Sequence, residues 1–172
     1  MFIGEGPGYH EDRRGRPFVG PAGQLLDELL AMAGLRRNEV FIGNVIKCRP
    51  PQNRDPQPDE ISTCTQAFLF RQIEAIQPRV IVTLGRFSMN LFLPGEKISR
   101  IHGQPREVDG RLIVPMIHPA AALHQPQNRP LIEADFRRLP EILARAEHEA
   151  AAKLSAASSR DEEPPLEQLS LF

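Results

Sequence analysis

The sequence predicts an α/β fold of three layers, in which a parallel or mostly parallel sheet lies between two layers of helices. Short apolar runs typical of buried strands alternate along the chain with segments of helical periodicity. The 172 residues suffice for one hydrophobic core and are too few for two. The 12 glycines and 17 prolines indicate long connections, and such loops commonly carry function.

The first part of the chain predicts a strand, a helix and a second strand. Met1 to Ile3 has the character of a strand end, and Pro21 suits the first position of a helix that Gly34 can stop. Between them we expect a glycine turn at residues 4–8 and a polar loop, with no helix directly after the glycines. Val40 to Ile46 predicts the second strand. The apolar face of the helix consists of Leu25, Leu26, Leu29, Leu30 and Met32.

A proline-rich connection at residues 49–58 separates this strand from the next helix, which begins near Asp59. Arg79 to Leu84 is the clearest strand of the sequence, and Gly85 opens a short helix. The apolar face of the helix that begins near Asp59 consists of Ile61, Cys64, Phe68, Ile73 and Ile76.

The Asp109-Gly110 dipeptide is typical of a tight hairpin turn. It lies between two strand-like runs, Arg106 to Val108 and Leu112 to Met116, so a local β-hairpin is predicted there. A last helix is expected from about Pro130 to Ala151. Ligands of such a fold bind at the loops that follow the carboxyl ends of the strands.

Composition excludes several classes of protein. No apolar stretch approaches the roughly 18 to 20 residues needed to cross a bilayer, and two cysteines are too few for a disulfide scaffold. We expect a monomer located in the cytoplasm. Arginine, which pairs well with phosphate, accounts for 18 of the 21 basic residues. The net charge of residues 1–148 is only +2, however, which does not by itself predict binding to nucleic acid.

The chain divides into a domain at residues 1–150 and a tail at residues 151–172. From Lys153 onward the Ala, Ser, Glu and Pro content cannot bury a core, so we expect the tail to be disordered. Residues 149–172 carry a net charge of −3, opposite in sign to the domain.

Three loops after predicted strands contain candidate site residues, and each residue also has an ordinary structural explanation. Asn44 could cap a turn, or its carboxamide could bond the edge of a nucleic-acid base. His118 could be a core histidine bonded to the backbone, or a catalytic group. Phe18 could belong to a small satellite core, or provide a platform on which a flat ligand stacks.

Glu5 stands among glycines at a strand end, whereas Glu11 lies beside other charged residues and could be a solvated carboxylate. The glycines at positions 4, 6 and 8 lack the spacing of a dinucleotide-binding loop, which argues against a nucleotide-dependent enzyme.

Taken together, four strings resemble the family 4 uracil-DNA glycosylases, the iron-sulfur branch of the uracil-DNA glycosylase superfamily. The resemblance keeps the same order from Ile3 to about Leu143. It implies a doubly wound α/β/α fold with a four-stranded sheet, and excision of uracil from DNA. The strings are Gly4-Glu5-Gly6-Pro7-Gly8, residues 15–26 from Gly15-Arg16-Pro17-Phe18 to Leu26, residues 44–51 from Asn44 to Pro51, and His118-Pro119.

The resemblance implies a role for each candidate residue. Phe18 would stack on the flipped base and Asn44 would pair with the uracil edge. His118 and the backbone N–H groups around Gly6 would donate to uracil O2. Glu5 would act on the attacking water and the sugar. Two further residues complete the implied site: Glu11 as the alternative carboxylate and Leu123 as the wedge that fills the gap left by the flipped base.

Cys48 and Cys64 have the spacing of the second pair of cluster ligands in this family. A 4Fe-4S cluster takes four thiolates, and the family's first pair, a C-x-x-C before the first strand, has no counterpart in this sequence. We therefore expect a segment to be missing from the N-terminus, or else the cluster to be absent. By itself, Cys64 on an apolar helix face would be a buried small hydrophobe.

The sequence ends in Gln168-Leu169-Ser170-Leu171-Phe172, which looks like the pentapeptide that bacterial proteins use to bind the replication sliding clamp. Apolar residues at the end of an acidic tail are unusual without a partner. The expected partners are therefore uracil-containing DNA, single- or double-stranded, and the clamp. The alternative function is an inactive DNA-binding module tethered to the clamp.

Overall fold

The computed structural model describes residues 1–158, in which five strands form a single sheet. The order across the sheet is β2-β1-β3-β5-β4, and the first four of these strands are parallel. Residues Phe2 to Gly4 of the first strand pair with Ile42 to Asn44 of the second, which brings Gly4 opposite Asn44. The strands are β1 (Phe2–Gly4), β2 (Ile42–Asn44), β3 (Val80–Leu84), β4 (Arg106–Val108) and β5 (Arg111–Met116).

The predicted hairpin is present, and it changes the strand count. Asp109 and Gly110 both have positive φ, +48° and +72°, as a tight turn between twisted strands requires. This turn places β4 antiparallel to β5 at the edge of the sheet. The α/β class is confirmed, but the sheet has five strands rather than four because the edge strand joins the four parallel ones.

Helices cover both faces of the sheet and form the two outer layers. The helix α2 (Pro21–Met32) and the long helix α8 (Arg129–Ser158) pack against each other and on one face. The other face carries α3 (Pro58–Cys64), a π-helical segment at Thr65–Leu69 and α4 (Phe70–Ile76), which follow one another without a break. Shorter helices are α1 (Tyr9–Arg14), α5 (Arg86–Asn90), α6 (Ile98–Ile101) and α7 (Ala120–His124).

Two hydrophobic clusters result from the alternation of side chains along the strands. Val80, Val82 and Leu84 of β3 contribute to the cluster beneath α2 and α8, whereas Ile81 contributes to the opposite cluster. Phe136 of α8 is fully buried and stacks against Phe2 of β1. Because every parallel strand is covered on both faces, a polar side chain can reach a ligand only at the end of a strand.

The sequence-based expectation for residues 9–20 is wrong at one point, since α1 begins directly after Gly8. This helix buries none of its six residues. It therefore has no hydrophobic periodicity that could have predicted it.

The apolar face predicted after Asp59 is also partly wrong. Phe68 is 51% exposed and Ile76 is 40% exposed, whereas Leu69 is fully buried. The π-helical segment inserts an extra residue per turn, so the side chains beyond it no longer follow the period of 3.6 on which the prediction rests. Met32 of α2 is likewise 37% exposed, while the four leucines of its face are buried.

The last helix continues to Ser158, beyond the boundary expected near Ala151. The remaining tail, with the predicted clamp peptide, lies outside the described residues. No helix within residues 1–158 is both long and apolar enough to span a membrane.

Candidate active site

A pocket of about 530 Å³ opens at the carboxyl ends of the parallel strands. Three strand ends each supply one polar side chain to it: Glu5 follows β1, Asn44 ends β2, and His118 follows β5. Gly6, Glu11 and Phe18 also line this pocket. The structure therefore brings together six of the residues that the sequence singles out.

Phe18 lines the pocket in an unusual backbone conformation. Its φ is +53°, and its ring stacks on the imidazole of His118 with centroids 5.5 Å apart. Two glycines make room for it. A Cβ at Gly4 would stand 2.7 Å from the Phe18 ring, and a Cβ at Gly23 would stand 2.0 Å from its carbonyl oxygen. The small residues of the two motifs thus permit one aromatic ring to form a platform.

Asn44 is buried beside this platform and its Oδ1 atom has no hydrogen-bond partner. A Cβ at Gly4 would come within 2.6 Å of that oxygen, so the glycine is needed on this side as well. Lys47 Nζ donates to the backbone carbonyl oxygen of Asn44 at 2.9 Å and to Gln72 Oε1 at 3.0 Å, which holds the strand end in place. A buried amide oxygen without a partner is a costly arrangement, and Asn44 is also one of the residues that line the pocket.

His118 is held as a neutral imidazole. Burial lowers its pKa to about 4, against the opposing effect of the Glu11 carboxylate. The backbone N–H of Ala120 donates to Nδ1 at 3.1 Å, which places the proton of the neutral ring on Nε2. The side chain therefore offers an uncharged N–H donor to whatever occupies the pocket.

Glu5 belongs to a small group of charges. Burial raises the pKa of Glu5, the nearby carboxylate of Asp55 raises it further, and the guanidinium of Arg86 acts in the opposite direction. Arg86 and Asp55 form an ion pair that joins the start of α5 to the proline-rich loop. Glu5 is therefore a carboxylate whose surroundings favour the protonated form more than water does.

Glu11 is used differently. Its Oε1 atom accepts hydrogen bonds from the backbone N–H groups of Val19 and Gly20, at 2.9 and 2.8 Å. Burial would raise its pKa, but these bonds hold the pKa below its ordinary value. The geometry makes Glu11 a fixed anion that anchors the loop carrying Phe18.

Leu123 lies on α7 beyond His118 and is 49% exposed. It does not line the pocket, whereas its neighbours Ala120, Ala121 and His124 do. An exposed leucine on the rim is placed where it can contact a ligand larger than the pocket.

Cys48 and Cys64 lie outside this pocket but line a second cavity of about 280 Å³ together. Cys48 is exposed and Cys64 is partly buried. Within residues 1–158, no group of three or more His, Cys, Asp or Glu side chains is arranged to hold a metal ion. The two cysteines therefore share a cavity, and the described residues do not supply the four thiolates that a 4Fe-4S cluster takes.

Sequence reasoning missed the contribution of the proline-rich loop. Asn53, Arg54 and Asp55 all line the pocket, whereas the sequence predicts only a connection at residues 49–58. Arg54 pairs with Glu60 at 2.7 Å, and Glu60 also accepts from the backbone N–H of Gln57, so the loop is fixed to the start of α3. The only signal in the sequence was the presence of charged residues among the prolines.

Comparison with known proteins identifies relatives of this site and fold. The model of the Uracil DNA glycosylase superfamily matches residues 1–142. A type-4 uracil-DNA glycosylase of Archaeoglobus fulgidus is 50% identical over 151 residues, covering 83% of this chain and 75% of that protein. One of Thermotoga maritima is 48% identical over 131 residues, covering 74% and 68%. One of Sulfurisphaera tokodaii is 47% identical over 152 residues, covering 83% and 69%.

Proposed function

The chain belongs to the uracil-DNA glycosylase superfamily and, within it, to the type-4 enzymes, and from this premise we propose that its pocket excises uracil from DNA. The reaction hydrolyses the N-glycosidic bond and leaves an abasic site. The single observation that carries the proposal is the buried, unpartnered Oδ1 of Asn44, a residue that lines the same pocket as the aromatic ring of Phe18.

The carboxamide of Asn44 suits the uracil edge. Its Oδ1 accepts from N3–H, and its NH₂ group donates to O4. Cytosine has no N3–H and carries an amino group at C4, so both bonds would become mismatches with buried polar groups left unpaired. Phe18 supports the flat face of the flipped base.

Bond cleavage leaves negative charge on the uracil and positive character on the sugar. The Nε2–H of His118 donates to the developing charge on uracil O2. Because this imidazole is neutral, its burial avoids the desolvation cost of a cation. Backbone N–H groups around Gly6 add to this effect. Glu5, in its ionised form, orients the attacking water and favours the electron-poor sugar.

Flipping requires the base to leave the stack, which costs less at a U·G mismatch than at a normal pair. The exposed side chain of Leu123 is suited to enter the gap that the flipped nucleotide leaves.

The test is incubation of the chain with a uracil-containing oligonucleotide, followed by alkali, which cleaves the strand at abasic sites. We expect cleavage at uracil and none at thymine or cytosine in the same position. Binding without cleavage would instead identify an inactive DNA-binding module.

We propose that Cys48 and Cys64 are two ligands of an iron-sulfur cluster, as their shared cavity supports. The sequence contains only these two cysteines, so the other two thiolates must come from outside it. We expect the 172-residue chain to purify without the visible absorption of a 4Fe-4S cluster, and a form extended by an upstream C-x-x-C to gain it. Four irons per 172-residue chain would contradict this ligand set.

We also propose that residues 168–172 bind the bacterial sliding clamp and that the protein acts in the cytoplasm, at the nucleoid. The acidic tail is suited to act as a tether that raises the local concentration of the enzyme on newly replicated DNA. Deleting the five residues should abolish clamp binding in a calorimetric titration and leave excision from free oligonucleotides unchanged. Clamp binding that survives the deletion would overturn the assignment.

A further inference from the structure

Beside the pocket mouth, one exposed aromatic ring holds two arginines. The guanidinium carbons of Arg13 and Arg49 lie 5.5 and 5.4 Å from the centroid of the Tyr9 ring. Arg13 also donates to the Tyr9 hydroxyl at 2.6 Å. Tyr9 is 49% exposed, so the ring is held at the surface by these contacts and not by burial. We call these three residues the Tyr9 cluster.

The two chain segments that carry Tyr9 and Arg49 both adjoin the pocket. Gly8, directly before Tyr9, lines the pocket, and so does Pro50, directly after Arg49. Arg49 Nε donates to Asn53 Oδ1 at 2.7 Å, and Asn53 lines the pocket as well. The two cations are therefore fixed to the rim at which a flipped nucleotide would enter.

The arginines around the mouth differ in how their charge is compensated. Arg54 is paired with Glu60 and Arg86 with Asp55. By contrast, none of the ion pairs found among residues 1–158 includes Arg13 or Arg49.

The acidic residues of α1 do not compensate the cluster either. Glu11 is bonded to the Phe18 loop, and Asp12 lines a different cavity, whose lining also includes Arg16 and Lys47. Two like charges held against one ring repel each other, and an anion between them or beside them removes that cost.

We propose that the Tyr9 cluster is a phosphate-binding clamp for the DNA backbone next to the flipped nucleotide. The inference rests on the proposed action on DNA. Tyr9 acts as a positioning residue, because cation–π contacts hold both guanidinium groups in place before DNA arrives. Each guanidinium can then donate to phosphate oxygens without first losing the freedom of a long side chain.

The first experiment measures binding to an undamaged oligonucleotide by fluorescence anisotropy over a range of salt concentrations. Arg13→Ala and Arg49→Ala should each weaken binding about tenfold, as the loss of a charge-assisted hydrogen bond does. Each should also reduce the slope of log K against log salt by about 0.9 on duplex or about 0.7 on single strands. Tyr9→Ala should weaken binding, and Tyr9→Phe, which keeps the ring, should restore most of it.

The matched control is Arg79→Ala. Arg79 is exposed, has no ion pair within residues 1–158, and precedes β3 at the opposite end of the sheet from the pocket. Arg79→Ala removes the same charge from the protein as the Tyr9-cluster variants do. Because that charge lies far from the pocket, the salt slope of Arg79→Ala should equal that of the wild type. Weaker binding of the Tyr9-cluster variants with an unchanged salt slope would overturn the proposal, because it would indicate a structural role alone.

A second experiment locates the contact. A neutral methylphosphonate replaces one phosphate at a time on either side of a uracil or of a tetrahydrofuran abasic analogue. The wild type should lose affinity at one or two adjacent positions, and Arg49→Ala should be insensitive to the same replacements. Equal sensitivity of the wild type and Arg49→Ala at every position would contradict the clamp. Since neither measurement needs excision, a chain that does not excise uracil would refute the proposed activity without deciding the outcome here.

Discussion

Two buried side-chain oxygens within residues 1–158 have no hydrogen-bond partner, and they lie in different parts of the same sheet. Asn44 stands at the carboxyl end of β2 and lines the pocket, whereas Thr83 lies within β3 and is fully buried. Their neighbours differ in the same way. The strand ends hold groups with shifted pKa, such as Glu5 and His118, while the strand interiors are otherwise apolar.

The difference indicates that an unsatisfied polar atom points to a ligand only where its residue lines a cavity. Asn44 can be satisfied when a base enters, so its cost is recovered in the complex. Thr83 faces packed side chains, so its hydroxyl remains a cost in every state. The following variants are expected to separate these two situations, from the largest effect to the smallest.

Replacement of Asn44 should have the largest effect. Asn44→Ala removes both bonds to the uracil edge, and Asn44→Asp removes the donor to O4, so kcat/KM for uracil excision should fall by at least about a hundredfold. Single-turnover rates on a uracil oligonucleotide measure this, together with the rate on cytosine. Asn38→Asp, the same change at an exposed residue, serves as the control. Wild-type rates in Asn44→Asp would rule out base reading.

His118→Ala should come next, with a loss of about a hundredfold to a thousandfold in kcat. Binding to DNA should change much less, because the lost donor acts on charge that develops in the transition state. His118→Asn keeps an N–H donor and should recover part of the rate. His148→Ala removes an exposed histidine of α8 and should have no effect. Equal losses in kcat and in DNA affinity would instead indicate that His118 is structural.

The charges around Glu5 predict that variants of Asp55 and Arg86 shift the pH dependence of activity. Activity should fall as pH decreases through the pKa of Glu5, since the ionised form acts, and Glu5→Gln should remove most of the rate. Asp55→Asn takes away a negative charge and lowers the pKa of Glu5, so the acidic limb of the profile moves to lower pH. Arg86→Gln should move it to higher pH.

Four further charged or titratable groups must be considered in that experiment. Glu11, His118 and His124 share the pocket with Glu5, and Arg54 lines it while paired with Glu60. His118 stays neutral at every pH well above its pKa of about 4, so it does not produce a limb near neutrality. Asp59→Asn, an exposed carboxylate at the start of α3, is the control. An acidic limb that stays in place in Asp55→Asn would assign it to a group other than Glu5.

Thr83→Val should have the smallest effect, and it should improve a property of the protein, its stability, where the other variants reduce or shift activity. It replaces a buried hydroxyl without a partner by a methyl group, so the free energy of unfolding should increase by about 1 kcal/mol. Urea unfolding measures this, and excision of uracil should remain unchanged. A less stable Thr83→Val would show that the hydroxyl has a partner, and the contrast with Asn44 would then fail.

Several elements of the fold were predictable because their signals are local. The leucines of α2 recur at helical spacing, β3 is an apolar run interrupted only by Thr83, and the Asp109-Gly110 turn requires two residues that tolerate positive φ. The helix α1 was not predictable, because it buries no side chain. The π-helical segment was missed since a shift of one residue leaves no mark in composition.

The residues of the candidate site also differ in whether the sequence alone could predict them. Glu5, Asn44 and His118 could be identified from the sequence because each follows a strand within a recognisable motif, and the carboxyl ends of parallel strands share one edge of the sheet. Asp55 could not, because its approach to Glu5 depends on the ion pairs of Arg54 and Arg86 that fold the proline-rich loop back onto the pocket.

The sequence by itself determined which groups are available: the carboxylates, the amide, the imidazole and the arginines, and the order in which strands and helices carry them. Only the tertiary structure decided which of them act on one another. Hydrogen bonding, ion pairing and cation–π contact require groups to be within a few ångströms of each other. Residues as distant in sequence as Tyr9 and Arg49 or Asp55 and Arg86 reach such separations only after the chain has folded.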